Sequence, residues 1–177
     1  MRKNFLIGGF VLAAAVLLGA CSGNEAAADH NADDVTFARQ MVPHHSQALD
    51  MAKLVPSRST DPKVLDLASR IEKAQEPEIR QLQGWLTTWD AAMPGMTREP
   101  MPGMMSGDET KQLERVKGTE FDQLWLGTMI KHHQGAIDMA GTELAKGGNA
   151  DAKALARKII DAQQAEITEM RGLLSQG

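Results

Sequence analysis

The chain carries one unit twice. Shifting the sequence by 88 residues lays segment 37–86 on segment 125–174 without a gap, and about a third of the aligned positions match. A repeat at fixed offset constrains the fold strongly, because each copy must be one structural unit whose exposed apolar face the other copy covers. The early matches are Met41/Met129, His44/His132, His45/His133, Ala48/Ala136, Asp50/Asp138, Met51/Met139 and Ala52/Ala140. Later ones include Leu67/Leu155, Ile71/Ile159, Ala74/Ala162, Gln75/Gln163, Glu78/Glu166 and Ile79/Ile167.

Each copy reads as two helices. In the first, a helix runs from about Asp34 to Val55 and stops at Pro56; its partner starts at Thr60-Asp61-Pro62, a cap followed by proline in the first turn, and runs to about Trp89. In the second, a helix from about Thr119 to Lys146 ends at Gly147-Gly148, and Asn149 caps a last helix reaching about Ser175. Short loops make each copy an antiparallel hairpin, and two hairpins with apolar stripes pair into an all-α four-helix bundle over 34–177. The absence of Tyr and the long Ala, Leu, Gln, Glu and Lys stretches without strand-like alternation fit the same class. Pro43 and Pro77 lie inside helices where the second copy has Lys131 and Ala165, so the copies need not be equivalent.

The copies are joined by a Met-rich connection, 93–107. It holds Met93-Pro94-Gly95-Met96 and then Met101-Pro102-Gly103-Met104-Met105, where proline and glycine exclude regular helix. A short helix is predicted after it, with Ser106 and Glu109 spaced as a capping box and Leu113 and Val116 as its apolar positions.

The first residues have the layout of an export signal: Arg2 and Lys3, an apolar run from Phe5 to Leu18, then Gly19 and Ala20. That run is short for a membrane span. Leu18-Gly19-Ala20-Cys21 has the form of a bacterial lipobox, which divides the chain into a signal peptide (1–20), a flexible tether (21–33) beginning at a lipidated Cys21, and the bundle. A lipoprotein held on the extracytoplasmic side of the cell membrane is the expectation. Cys21 is the one cysteine, so there is no internal disulfide and no thiolate metal site. Without Arg2 and Lys3 the basic residues number 17 against 23 acidic ones, which argues against nucleic acid as a partner. No motif identifies a protein partner.

Chemistry gathers on the first helix of each copy. Met41, His44, Ala48 and Met51 are spaced three, four and three residues apart and share one face, as do Met129, His132, Ala136 and Met139. His45 and His133 sit about 100° further round, beside the stripe or toward a neighbouring helix. Methionine on an apolar stripe is ordinary core filling, but packing does not ask for two identical His pairs, each three residues after a Met. Thioether and imidazole suit copper, Cu(I) ahead of Cu(II). The Glu-x-x-His signature of di-iron bundles is absent, since Met41, Val42, Met129 and Ile130 precede the histidines. On the partner helices Gln75, Glu78, Gln163 and Glu166 interrupt the apolar stripes at matched positions. The two glutamates either accept a ring N–H, ligate directly, or sit in water at the bundle edge. Met93, Met96, Met101, Met104 and Met105 are candidate loop copper donors, or methionines packed on the bundle.

The paired Met-x-x-His-His-x-x-Ala-x-x-Met-Ala elements, Met41–Ala52 and Met129–Ala140, with the Ala-Gln-x-x-Glu-Ile elements at 74–79 and 162–167, resemble the bacterial Domain of Unknown Function 305 family. The resemblance covers about 34–175. It implies a ferritin-like bundle, and its CopM-like members imply extracytoplasmic copper binding through Met41, His44, His45, Met51, Met129, His132, His133 and Met139. The resulting expectation is a copper-binding lipoprotein for sequestration, homeostasis or resistance, not an enzyme. The alternatives are a metal-dependent oxidase or electron-transfer bundle and a metal-free helical interaction module.

Overall fold

Capping chemistry sets the helix starts. In the computed structural model, which describes residues 29–91 and 101–176, helix α1 (Ala32–Leu54) begins behind Asn31, whose side chain accepts from the Asp33 and Asp34 amides while Asp34 closes a capping box. Helix α2 (Pro62–Thr88) is capped by Asp61 with Pro62 in its first turn, and α5 (Ala150–Leu174) by Asn149. Helix α3 (Gly107–Arg115) has the expected Ser106–Glu109 capping box, and α4 (Gly118–Lys146) ends at Gly147. The described residues contain no strand. α1 starts two residues before the expected Asp34, so the end of the segment read as tether belongs to the helix and its cap. There Asn31 also donates to the Lys146 carbonyl, and His30 stacks on Trp89 at 4.7 Å. The signal peptide, Cys21, Met93 and Met96 lie outside the described residues.

α1 and α2 form one hairpin and α4 and α5 the other, joined mainly through α1 against α4. The core falls into two apolar halves. One contains Ala48, Met51, Leu67, Ile71, Trp125, Met129, Ile167 and Met170; the other contains Phe37, Met41, Leu82, Leu86, Met139, Leu155 and Ile159. Chain direction follows from this division. α1 runs from the second half to the first and α4 from the first to the second, so they are antiparallel. α2 and α4 both run toward the second half and are therefore parallel, which obliges their connection to travel back along the whole bundle. That is the ferritin-like arrangement with one long crossover.

The crossover is docked on its way. Met105 is buried in the first apolar half, its amide donates to Gln47 Oε1 at 2.8 Å, and Gln47 Nε2 donates to the Met105 carbonyl at 3.1 Å. Pro102 and Gly103 lie directly on α4. A Cβ built on Gly135 would stand 2.0 Å from the Pro102 carbonyl oxygen, and Gly103, at φ +76°, packs on the Lys131 and His132 carbonyls. Positions 47 and 135 are equivalent in the repeat, and both serve this one segment: glutamine clamps it and glycine makes room for it.

Two acidic residues close the far end. Asp34 is fully buried and accepts from the Gly148, Asn149 and Asn31 amides at 3.0, 2.9 and 2.5 Å. Burial pushes its carboxyl up, but these N–H groups outweigh burial and hold it below the usual range. Burial and the neighbouring Asp34 charge push Glu143 up to about 8, so at neutral pH it stays protonated against Asp34.

Two predictions follow from this packing. Gly135→Ala drives a methyl into the crossover backbone and should lower stability by about 1–3 kcal/mol, whereas Gly141→Ala, with nothing within 4 Å, should be neutral or stabilising; thermal melts distinguish the two. Glu143 is raised in the folded state above its ordinary 4.5, so its contribution is complete below that value and is lost as pH climbs to about 8. The melting temperature should therefore fall between pH 6 and pH 9, and Glu143→Gln should flatten that fall.

Candidate metal centre

Between the two apolar halves lies a polar layer to which all four long helices contribute. α1 supplies His44 and His45, α2 Gln75 and Glu78, α4 His132 and His133, and α5 Gln163 and Glu166. The four imidazoles are sealed from water, none more than 1% exposed, and Gln75, Glu78 and Gln163 are buried with them. This placement follows from the spacing: three residues after Met41 or Met129 is one helical turn, which moves the chain from one apolar half into the layer.

His44 and His132 meet across the α1–α4 seam with ring centroids 3.8 Å apart. His45 and His133 point instead to the partner helix of their own hairpin. His45 Nε2 is 3.0 Å from Glu78 Oε2, and His133 Nε2 is 2.6 Å from Glu166 Oε2. His44 Nε2 reaches the Pro102 carbonyl of the crossover at 3.1 Å. A carbonyl or a carboxylate can only accept, so in all three rings Nε2 carries a proton, and in a neutral ring that leaves Nδ1 with a lone pair. Those three Nδ1 atoms are buried without partners, and both nitrogens of His132 are also unpartnered. The Gln75 amide and Gln163 Oε1 are in the same condition.

Burial works against protonation of three of the rings. Burial, reinforced by the neighbouring imidazole of His45, drives His44 down to about 3. Burial likewise holds His132 well below the ordinary value, helped by His44, His133 and His45. His45 is lowered by burial in spite of the opposing Glu78 carboxylate. Burial pushes Glu78 up, but His45 and the ion pair with Lys158 at 3.2 Å prevail and leave it ionised. Glu166 has only His133 as a partner among the described residues.

Thioethers flank the layer on both sides. Met51 and Met129 lie in one apolar half and Met41 and Met139 in the other, so each half receives one sulfur from each hairpin. All four are buried. Among the described residues no group of three or more His, Cys, Asp or Glu side chains is gathered to hold a metal. Neutral imidazoles with free lone pairs, beside buried thioethers, form a donor set for a soft ion. Of the loop candidates, Met105 is core, while Met101 and Met104 are half-buried on the crossover.

Sequence reasoning missed the Pro102 carbonyl and the Gln47 clamp. The available signal was a break in the repeat, Gln47 against Gly135, beside the His pair. It also missed the Asp34–Glu143 pair: Glu143 stands opposite Val55 in the repeat, and Asp34, which matches Asp122, lies outside the aligned segment.

Comparison with known proteins agrees with this fold. A DUF305 protein from Streptomyces coelicolor, described as secreted, superposes with a TM-score of 0.76 at 32% identity, covering 81% of this chain and 93% of that one. CopM in its Cu(I)-bound form superposes with a TM-score of 0.72 at 28% identity, covering 81% of this chain and 96% of that one, and CopM is also known with Cu(II) and with silver. An uncharacterized protein of Acanthamoeba polyphaga mimivirus is 37% identical over 54 residues, 30% of this chain, which spans only 36% of that relative's length. The profile of the family described as Domain of unknown function (DUF305) matches residues 34–174, more than half of the sequence, and the chain belongs to that family.

Proposed function

We propose that the domain is a copper-binding module, favouring Cu(I), which sequesters the ion outside the cytoplasm and buffers it or passes it on without turnover. The observation that carries this reading is the set of five partnerless nitrogens on four buried histidines. Leaving buried polar atoms unsatisfied costs about 1–3 kcal/mol each, and a bound ion removes that cost. Met41, Met51, Met129 and Met139 supply soft sulfur on either side of the layer, and His44, His45, His132 and His133 supply nitrogen. Glu78 and Glu166 fix the tautomers of His45 and His133 and raise their basicity, as carboxylates behind metal-binding histidines do.

The likeness to CopM, solved with Cu(I), Cu(II) and silver, supports a copper-related role for this chain. The Streptomyces neighbour described as secreted supports a place outside the cytoplasm. No helix among the described residues is long and apolar enough to cross a membrane. Attachment is proposed through lipid on Cys21.

Copper titration of residues 22–177 tests the site, under reducing and oxidising conditions. His44→Ala and His132→Ala should each lower Cu(I) affinity at least about tenfold, a loss of about 1.4 kcal/mol; full capacity and affinity in both variants would refute the site. Glu78→Gln and Glu166→Gln keep shape but remove the carboxylate, and about 10–100-fold weaker binding is expected. Unchanged affinity in both would reduce these residues to packing. A wild-type chain that binds no metal would leave the interaction module as the better reading.

A further inference from the structure

The half-buried methionines of the crossover occupy a built geometry that neither core packing nor the histidine layer explains. The Met104 amide donates to the Met101 carbonyl at 3.3 Å, Pro102 follows Met101, and Gly103 has φ +76°. This is a type II turn, with proline and glycine at the two central positions that demand them. Such a turn brings the Cα atoms of its first and last residues within about 7 Å, so the flexible side chains of Met101 and Met104 leave the backbone at neighbouring points. The same four-residue word, Met-Pro-Gly-Met, occurs earlier in the connection. A type II turn needs proline and glycine but has no requirement for methionine at its ends.

The turn is also fixed against the histidines. Its Pro102 carbonyl accepts from His44, Gly103 packs on the backbone carbonyls of Lys131 and His132, and Gln47 clamps the next residue but one, Met105, through its backbone. Met105 buries its side chain in the core, whereas Met101 and Met104 remain within reach of solvent. From the turn inward, the accessible sulfur pair is followed by His44 and then by His132, whose ring lies against that of His44.

We infer that Met101 and Met104 form a second, bis-thioether site for a soft monovalent ion, and that this site is the entry through which Cu(I) reaches the buried imidazoles. The inference rests on the copper reading above and adds a route to it. Thioether is neutral and binds a cuprous ion in preference to the hard cations that surround it in water, so the pair selects the ion before it enters a layer that water does not reach. No redox step is involved: the ion exchanges sulfur donors for nitrogen donors without change of charge.

The test uses the full chain with carbon-13 in its methionine methyl groups and histidine rings, titrated with silver(I) as a redox-inert stand-in. The Met101 and Met104 methyl signals should shift in the first additions. Met101→Leu with Met104→Leu preserves volume and leaves the backbone docking of Pro102 and Met105 intact. This double variant should take up Cu(I) from a chromogenic chelator about tenfold more slowly, while the Met129 and His132 signals still reach their ion-bound positions. Unmoved Met101 and Met104 signals alongside responding Met129 and His132 would overturn the entry site and leave the proposed function standing. Uptake by the double variant at the wild-type rate would also overturn it. Silence from every methionine and histidine would overturn both.

Discussion

Everything in this fold is arranged around the cost of taking four imidazoles out of water. A protonated ring buried among apolar side chains has no adequate replacement for its hydration, so burial drives His44, His45 and His132 toward the neutral form. Neutrality then decides the hydrogen bonding. A ring with one proton seeks one acceptor, and His44 and His45 find theirs in Pro102 and Glu78, while His133 faces Glu166. Burial therefore favours a ring with a free lone pair, and the acceptor determines which nitrogen carries it.

Duplication supplies the second ring of the central pair, but the molecule is not symmetric. Because α2 and α4 are parallel, a single connection must pass the length of the bundle, and its described part docks on α1 and α4 beside His44. His44 receives the carbonyl of that connection and His132, its counterpart, receives nothing. Glu78 is shared between His45 and Lys158, while Glu166 faces His133 without a lysine. Matched histidines in the two repeats thus have unequal surroundings, and for His44 and His132 the inequality originates in the connection.

Much of this was legible in the sequence. The 88-residue repeat, the caps at Asp61, Ser106 and Asn149 and the stops at Pro56 and Gly147 gave the hairpins to within a residue or two, because these signals act over one helical turn. The stripe containing Met41, His44 and Met51 was legible for the same reason. The direction taken by His45 and His133 was not, since a residue 100° off a stripe meets whichever neighbour the tertiary packing provides. The route of the crossover was hidden too. It depends on which helices run parallel, and local pattern is silent on that. Met101, Met104 and Met105 look alike in sequence, and the Gln47 clamp that sends Met105 alone into the core joins residues 58 apart.

The His44–His132 contact has a mechanical consequence. The only cysteine of this chain stands ahead of the bundle, so the two repeats have no covalent tie beyond the connecting segment. An ion gripped by one ring from each repeat would serve as a removable rivet through the seam. Such a rivet favours the closed form in proportion to how tightly it is held, so resistance to unfolding would report the cell's metal supply.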